Sequence, residues 1–538
     1  MRRRLIVLSV AISGLLAFWA GCSSSSSGTE GRMITLIGTS DLQGKLESEM
    51  QEYEVNGSKM ERMGGGIGRI ATQFQKAIKE NPDGTIIASN GDDLMGRYFH
   101  TFRGEAIYSL FNRSGYQFYA PGNHEFDKGP EVFAKALDFV DFDVICTDLV
   151  IEGTPLQGRC SPYKTVSLQG AKIGIFSLMT EDLPLITSAG DVKLSAPNVE
   201  TASRMVSQLH KEGCDIVIAL THIGLDQDKA LAGKVPGIDL IFGGHSHHAK
   251  KDLIRVDDTL IFNGGEQGRY VVQIDLPLDE MHRIKKSEAK YQRIPLLESV
   301  EKEESVQSLL ESYKSQLPAT VILGKTTVEW DLTEKSLRYS ESNVADMIDD
   351  LLKEKLKVEI VMNNAGAFRG KKVYPPGNIT DRMLHEIDEF ENNAYILEIQ
   401  GKYLRQILEH SASLYGTGGL MQVAGIRYSV DLSRKKQSIK REGGGKWVVT
   451  QAGERVTKIE IRSPDGSFVP LDEGKNYRLL SNAYLVNHAG NGYFWFKKYG
   501  KNRKNTYTTF YTVMANYLEK HKVMNPKPLD GRLKILHP

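Results

Sequence analysis

From residue 33 to about residue 280 the hydrophobic positions fall in short runs, set apart by longer stretches of mixed polarity. The runs are ITLIGTS, TIIASN, QFYAPG, DFDVICT, KIGIFSL, DIVIALT and IDLIFGG, and their length predicts strands. Between several of them lie stretches with apolar residues at helical spacing, such as ETASRMVSQLHKEG. Strand and helix in alternation predict an α/β domain. The pattern then changes. LLESVEKEESVQSLLESYKSQL, residues 296–317, is charged, largely free of Gly and Pro, and helical in period, which predicts a connecting helix. Beyond it a second block holds the strand-like VEIVMNNAG, the helix-like KYLRQILEHSASLYG, and Gly- and Tyr-rich loops towards its end. No internal repeat is visible. The pattern divides the chain into a first domain over 32–295, the connecting helix over 296–317, and a second, smaller α/β domain over 318–538.

A chain of 538 residues is too long for one core, which agrees with two domains. Its 68 basic and 67 acidic residues nearly cancel, so there is no footprint for a nucleic acid polymer. The start of the chain is different. Arg2-Arg3-Arg4 precedes the apolar LIVLSVAISGLLAFWAG and then Cys22, which reads as a secretory signal over 1–22. The apolar stretch is shorter than the roughly 20 residues that span a bilayer. Ala20-Gly21-Cys22, followed by serines at 23–27, resembles a bacterial lipobox with a tether over 23–31, although Trp19 stands where an aliphatic is usual. The expectation is lipidation at Cys22 and an exported protein, held on a membrane and facing the periplasm or the cell exterior. Without the three leader arginines, 65 basic residues face 67 acidic ones. Of the remaining cysteines, Cys146 and Cys160 could pair and leave Cys214 over, or all three could be buried thiols; the spacing leaves both open.

Five apolar runs of the first block end in residues that can bind metal. Asp41-Leu42-Gln43 follows ITLIGTS, Gly91-Asp92-Asp93 follows TIIASN, and Asn123-His124-Glu125 follows QFYAPG. DIVIALT ends at His222, and IDLIFGG runs into His245-Ser246-His247. Strand ends line the ligand crevice of an α/β sheet. In an extended segment residues i and i+2 point the same way, so Asp41 with Gln43, and His245 with His247, are expected to act in pairs. One histidine after a strand is ordinarily structural; five such strand ends in one domain are a site. Mixed imidazole and oxygen donors suit zinc, manganese or iron better than calcium. They are too many for one tetrahedral ion and suit two divalent ions about 4 Å apart, bridged by a carboxylate.

The order DxQ, GD, GNHE, H, GHSH resembles the calcineurin-like metallophosphoesterases and, within them, the 5′-nucleotidase family, which includes UDP-sugar hydrolases and cyclic-nucleotide phosphodiesterases. GNHEFDKG, residues 122–129, is the most specific piece. The resemblance implies mixed β-sheets flanked by helices, followed by a substrate-binding C-terminal domain. It implies Asp92 as the bridge, Asp41, Gln43 and His247 at the first ion, and Asn123, His222 and His245 at the second. It makes His124 the catalytic histidine, oriented by Asp127, and gives His248 no role. Most relatives have His where this chain has Gln43, and some have Gln or Asn where it has His247, so the two donor types are exchanged.

In the second block, Asn363-Asn364-Ala365-Gly366-Ala367-Phe368-Arg369 resembles the family's N-G-G-x-R segment, which implies substrate contacts from Asn364 and Arg369. Leu420 falls where the resemblance implies a base-stacking Phe, Tyr484 matches the second stacking aromatic, and Asn491 stands in place of an Asp that contacts the nucleoside. Phe494, Trp495 and Phe496 are either alternative lid residues or core. The implied activity is dimetal-dependent hydrolysis of a small phosphate ester, a 5′-nucleotide or nucleotide sugar. The alternatives are a 2′,3′-cyclic phosphodiesterase with 3′-nucleotidase activity, a thiosulfohydrolase-like enzyme, and a non-catalytic surface binding protein. The last would have eroded Asp92, Asn123 and His124, which all stand.

Overall fold

The computed structural model describes residues 32–55, 58–248, 250–442 and 446–537. The leader, the tether and Cys22 lie outside the described residues. The first block is built on two six-stranded sheets. Along the chain its strands are β1 (Met33–Thr39), β2 (Thr85–Ser89), β3 (Phe118–Tyr119), β4 (Asp143–Val144), β5 (Lys164–Leu168), β6 (Ala171–Met179), β7 (Ile216–His222), β8 (Leu240–Gly243), β9 (Ile254–Val256), β10 (Thr259–Asn263), β11 (Tyr270–Pro277) and β12 (Lys290–Pro295). One sheet has the order β12-β11-β1-β2-β3-β4 and the other β9-β10-β8-β7-β6-β5. Both are mixed: β1 runs parallel to β2 but antiparallel to β11, and the parallel set β6, β7, β8 and β10 is edged by antiparallel β5 and β9.

The period-2 pattern explains the layers. Ile34 and Leu36 of β1 and Ile218 and Leu220 of β7 point into one shared core, so the two sheets face each other. Ile37 and Ile87 point the other way, onto a helical layer that includes Ile67–Glu80 and Glu105–Ser114. Val217 and Ala219 likewise meet the helix Asn198–Lys211. Strands buried on both faces read as unbroken apolar runs, as seen in the sequence. The C-terminal ends of β1, β2, β3, β7 and β8 converge on one edge of this sandwich.

The connecting helix is Glu304–Gln316, shorter than the stretch 296–317. Leu296 continues the strand pairing through its N–H to the Arg269 carbonyl, and the helix starts where the Glu303 carboxylate caps the Val306 N–H at 2.6 Å. Its buried side, Val306, Leu310 and Tyr313, packs on the first block. The second block centres on a five-stranded sheet of β13 (Ile360–Asn364), β14 (Ala394–Gln400), β15 (Met421–Ala424), β16 (Asn476–Asn482) and β17 (Lys501–Asn505), in the order β15-β13-β16-β14-β17. Phe494, Trp495 and Phe496 are in its core. Cys146 and Cys160 form a disulfide with Cα atoms 5.8 Å apart, and Cys214 is a buried free thiol.

Candidate functional site

The convergent strand ends do not continue as extended chain. Asp41, Gln43, Asp92, His245 and His247 have φ of 52°, 51°, 58°, 72° and 58°. The left-handed region is uncommon for residues with a Cβ, and its concentration here is backbone strain held at a site. This corrects the expectation of i and i+2 pairs on an extended segment: the same residues are brought together by tight turns instead. Buried Glu125 binds two of these turns to each other. Its carboxylate accepts N–H groups of Asp92 (2.8 Å), Asp93 (2.8 Å), Leu94 (3.1 Å) and Gly122 (2.6 Å). Gly122 is required by space, since a Cβ there would lie 2.3 Å from Asp92 Oδ1 and 2.7 Å from His222 Cε1.

The side chains meet at Asp92 and Asp41. His222 Nε2 lies 3.1 Å from Asp92 Oδ2 and 4.0 Å from Asp41 Oδ1, and His247 Nε2 lies 3.3 Å from Asp41 Oδ1. Donor atoms of Asp92, His222 and His245 all fall within 4.8 Å of one another. Gln43 Nε2 is 3.2 Å from His247 Nε2. The outer nitrogens of two of the histidines are already engaged. His222 Nδ1 donates to the Asn90 carbonyl at 2.5 Å, and His247 Nδ1 faces Glu266 Oε2 at 3.0 Å. Each ring thereby aims Nε2 inward, as a metal-binding histidine does.

Asp41 Oδ1, Asn123 Oδ1 and His222 Nε2 are buried with no hydrogen-bond partner among the described residues. Such groups are costly unless something else satisfies them. The electrostatics agree. Burial opposes a charge on His222, yet Asp92 and Asp41 raise it to about 10; His247 is raised against burial to about 9 by Asp41 and Glu266. Asp92 is held well below the carboxylate range, burial being outweighed by His222 and His124. His245 is instead lowered to about 4 by burial and by neighbouring His222. A buried, negative pocket with orphaned oxygen and imidazole donors fits divalent metal ions.

Beside this cluster, His124 Nδ1 pairs with Asp127 Oδ2 at 2.6 Å, and Thr187 Oγ1 donates to the other Asp127 oxygen at 2.9 Å. His124 Nε2 lies 3.8 Å from Asp92 Oδ2. Burial is outweighed by Asp127 and Asp92, which raise His124 to about 9. His248 is exposed.

The second block closes over the same place. Phe390 stacks on His124, with centroids 5.8 Å apart, and the Arg369 guanidinium lies 5.2 Å from the centre of the same ring. Lys128 of the first block donates to the Phe390 carbonyl at 2.9 Å. Lys371 Nζ reaches Gln43 Oε1 at 3.3 Å. A cavity of about 240 Å³ opens beside Gln43, Arg369 and Lys371 and runs past Arg97 and Tyr98 to Leu317. Asn364 is buried at the end of β13, and its Nδ2 lies 3.3 Å from Asn491 Oδ1; the Asn491 N–H donates to the Tyr484 hydroxyl at 3.1 Å. Leu420 differs from expectation. It is 0 % exposed and part of the second-block core, because its carbonyl is tied to the Ala365 N–H at 2.7 Å. It offers no face for stacking, and Phe390 is the second-block aromatic beside His124.

Two family comparisons cover most of the chain. The calcineurin-like phosphoesterase family matches residues 34–249, and the 5′-nucleotidase C-terminal domain matches residues 322–498. The chain belongs to the 5′-nucleotidase family of calcineurin-like phosphoesterases. It is a metal-dependent phosphoester hydrolase by that membership. Bovine 5′-nucleotidase is 26% identical over 547 residues, covering 93% of this chain and 91% of its own. The trifunctional nucleotide phosphoesterase protein YfkN of Bacillus subtilis is 27% identical over 504 residues, covering 85% of this chain; the chain spans 33% of that protein's length. The solved 5′-nucleotidase precursor of Thermus thermophilus superposes with a TM-score of 0.80 at 26% identity, covering 94% of this chain and 100% of its own.

In this 5′-nucleotidase family member, sequence reading missed three residues at the site and the role of a fourth. Glu125 sits inside the GNHE motif and could have been read there as an acid needing buried partners. Glu266, Lys371 and Phe390 lie outside any quoted motif and carry no comparable signal.

Proposed function

We propose that this family member is a 5′-nucleotidase that uses two divalent ions to release phosphate from 5′-nucleotides or nucleotide sugars outside the cytoplasm. The observation that carries the reading is the set of orphaned donors converging at Asp92, beside the His124–Asp127 pair. Asp92 would be shared by the two ions, Asp41, Gln43 and His247 would hold the first, and Asn123, His222 and His245 would hold the second. Zinc, manganese and iron all suit these donors. The ions, when bound, supply Lewis-acid charge on the phosphoryl oxygens and make water a nucleophile at neutral pH.

The chain's own residues do the rest. Asp127 fixes the His124 ring so that Nε2 faces the reacting centre, and His124 gives a proton to the leaving oxygen. Arg369 offers its fork of donors to substrate oxygens that do not react. Phe390 and Tyr484 provide flat surfaces for a base, and Asn364 with Asn491 borders them. The contacts of Lys128 and Lys371 across the two blocks hold the second block against the reacting centre. Residues 1–22 read as a lipoprotein signal, and the Cys146–Cys160 disulfide suits an oxidising compartment, which supports export with a lipid anchor at Cys22. The test is phosphate release by chelator-stripped protein, with and without added metal, from a 5′-nucleotide, a nucleotide sugar and a cyclic nucleotide. The 5′-nucleotide or the nucleotide sugar is expected to turn over fastest; preference for the cyclic nucleotide would replace this reading with a cyclic phosphodiesterase.

A further inference from the structure

The Asp127 carboxylate is held at two points. Oδ2 meets His124 Nδ1 at 2.6 Å, and Oδ1 accepts the Thr187 hydroxyl at 2.9 Å; no other described group donates to it. A carboxylate only accepts, so the hydroxyl is the donor. Asp127 and His124 belong to one turn, three residues apart, and their contact is local. The torsion that carries an aspartate carboxylate is broad and roughly two-fold, so one hydrogen bond leaves it able to rock. A second donor on the other oxygen fixes its plane. Thr187, 60 residues further along the chain, supplies that donor.

Thr187 is itself held firmly. It is buried, and it follows the short helix Leu183–Ile186 in extended conformation with φ −153°. Its branched Cβ restricts χ1. The segment is pinned on both sides of it. The Leu183 N–H reaches the Thr180 carbonyl at 3.0 Å, and Leu183, Ala189 and Val192 are buried in the first-block core. Beyond them Lys193–Leu194 pairs antiparallel with Leu149–Val150. The helix Leu183–Ile186 also packs against the second-block turn Gly490–Gly492. The segment that carries the hydroxyl is therefore clamped between the two blocks.

We propose that Thr187 is a positioning residue for the proton donor: its hydroxyl fixes the Asp127 carboxylate, which fixes the His124 ring, so that Nε2 stays aimed at the leaving oxygen. Thr187 acts through Asp127 alone. Without the hydroxyl, Asp127 Oδ1 loses its donor and the imidazole is steered from one point only. The proposal rests on the reading of His124 as proton donor given above.

The test is the dependence of rate on the leaving group, measured with added manganese. Phenyl phosphate and p-nitrophenyl phosphate carry the same phosphoryl group and no base, but the phenol oxygen needs a proton far more than the nitrophenol oxygen. Thr187→Val keeps the shape and removes the hydroxyl. It is expected to lower kcat/KM about tenfold for phenyl phosphate and less than about threefold for p-nitrophenyl phosphate, with bound metal unchanged. Thr187→Ser, which keeps the hydroxyl, is expected to stay within about threefold of wild type on both esters. In the His124→Ala background Thr187→Val should cost nothing further, because the group it positions is gone. The proposal is overturned by equal loss on both esters, by no loss, by loss of metal, by a Thr187→Ser defect as large as that of Thr187→Val, or by an undiminished effect in the His124→Ala background. If Thr187→Val does not fold, Thr187→Ala against Thr187→Ser makes the same comparison. Failure of the underlying reading shows separately, as a His124→Ala variant that slows both esters alike.

Discussion

The ring of Phe390 lies within 13° of parallel to the imidazole of His124, so a residue of the second block rests directly on the histidine proposed as proton donor. Orientation of substrate and of the proton donor is thereby shared between the blocks. Phe390→Ala is expected to lower kcat/KM for a nucleoside monophosphate about tenfold or more, from the roughly 1–3 kcal/mol that a base–aromatic stack is worth. Glycerol phosphate, which has no base, should lose less. Leu420→Ala should do the reverse: it empties core volume and costs about 2–5 kcal/mol of stability without substrate preference. Thermal melts and paired kinetics separate the two outcomes. A Leu420 variant with unchanged melting and selective loss on nucleotides would restore Leu420 to the site.

Removing His124 should remove proton transfer but not metal. His124→Ala is expected to lower turnover by about 10²–10⁴ with metal content retained, and Asp127→Asn to lower it less, since Thr187 still positions the residue. Asp92→Asn should lose both metal and turnover, because Asp92 meets His222 on one side and the His124 N–H on the other. Elemental analysis beside steady-state rates checks all three; loss of metal in the His124 variant would make it a ligand.

Gln43 sits 3.2 Å from His247 and under the Lys371 ammonium. Gln43→His should keep or tighten metal binding, imidazole being the stronger donor, while Gln43→Ala should raise the metal concentration needed for half-maximal binding. Calorimetric titration of stripped protein reads this directly. Equal titration curves for wild type and the Ala variant would place Gln43 outside the ligand set.

The strand ends were legible because a parallel α/β topology must bring successive C-terminal ends to one edge, and Asp41, Asp92, Asn123, His222 and His245 each directly follow or end an apolar run. How they turn inward was not legible. The left-handed turn at Asp41 is tied to the next strand end through the Gly91 and Asp92 carbonyls, and Glu125 ties the Asp92–Leu94 turn to Gly122, contacts that no local pattern announces. Leu420 and Phe390 show the second limit. An apolar residue in a loop carries the same local signal whether it faces substrate or core, and only packing tells them apart. The cysteine spacing likewise left pairing open until the fold put Cys146 and Cys160 together. The connecting helix was found, but its start at Glu304 was hidden because Leu296 fits a helical period while its N–H serves a strand.

Asp148 is 1 % exposed, and burial, with Glu181 adding, raises its carboxyl to about 7 although the Met179 N–H opposes this. Its unfolded value is about 3.9. The folded state therefore binds the proton more tightly, and the stability this gives is complete below about pH 4 and lost as pH rises through about 7. Asp148→Asn should match wild type below about pH 4, draw ahead of it as pH rises, and exceed it at pH 8 by about 2–4 kcal/mol, seen as a melting temperature several degrees higher. A variant less stable than wild type at pH 8 would mean that the carboxylate is stabilised where it sits.

The most direct test of a dimetal phosphoesterase centred on Asp92 is phosphate release from a 5′-nucleotide by chelator-stripped protein as zinc or manganese is returned, with bound metal measured at each step. The expected result is no release from stripped protein and full recovery on reaching two ions per chain. Undiminished release from the stripped protein, or saturation of activity with a single ion bound, would contradict it.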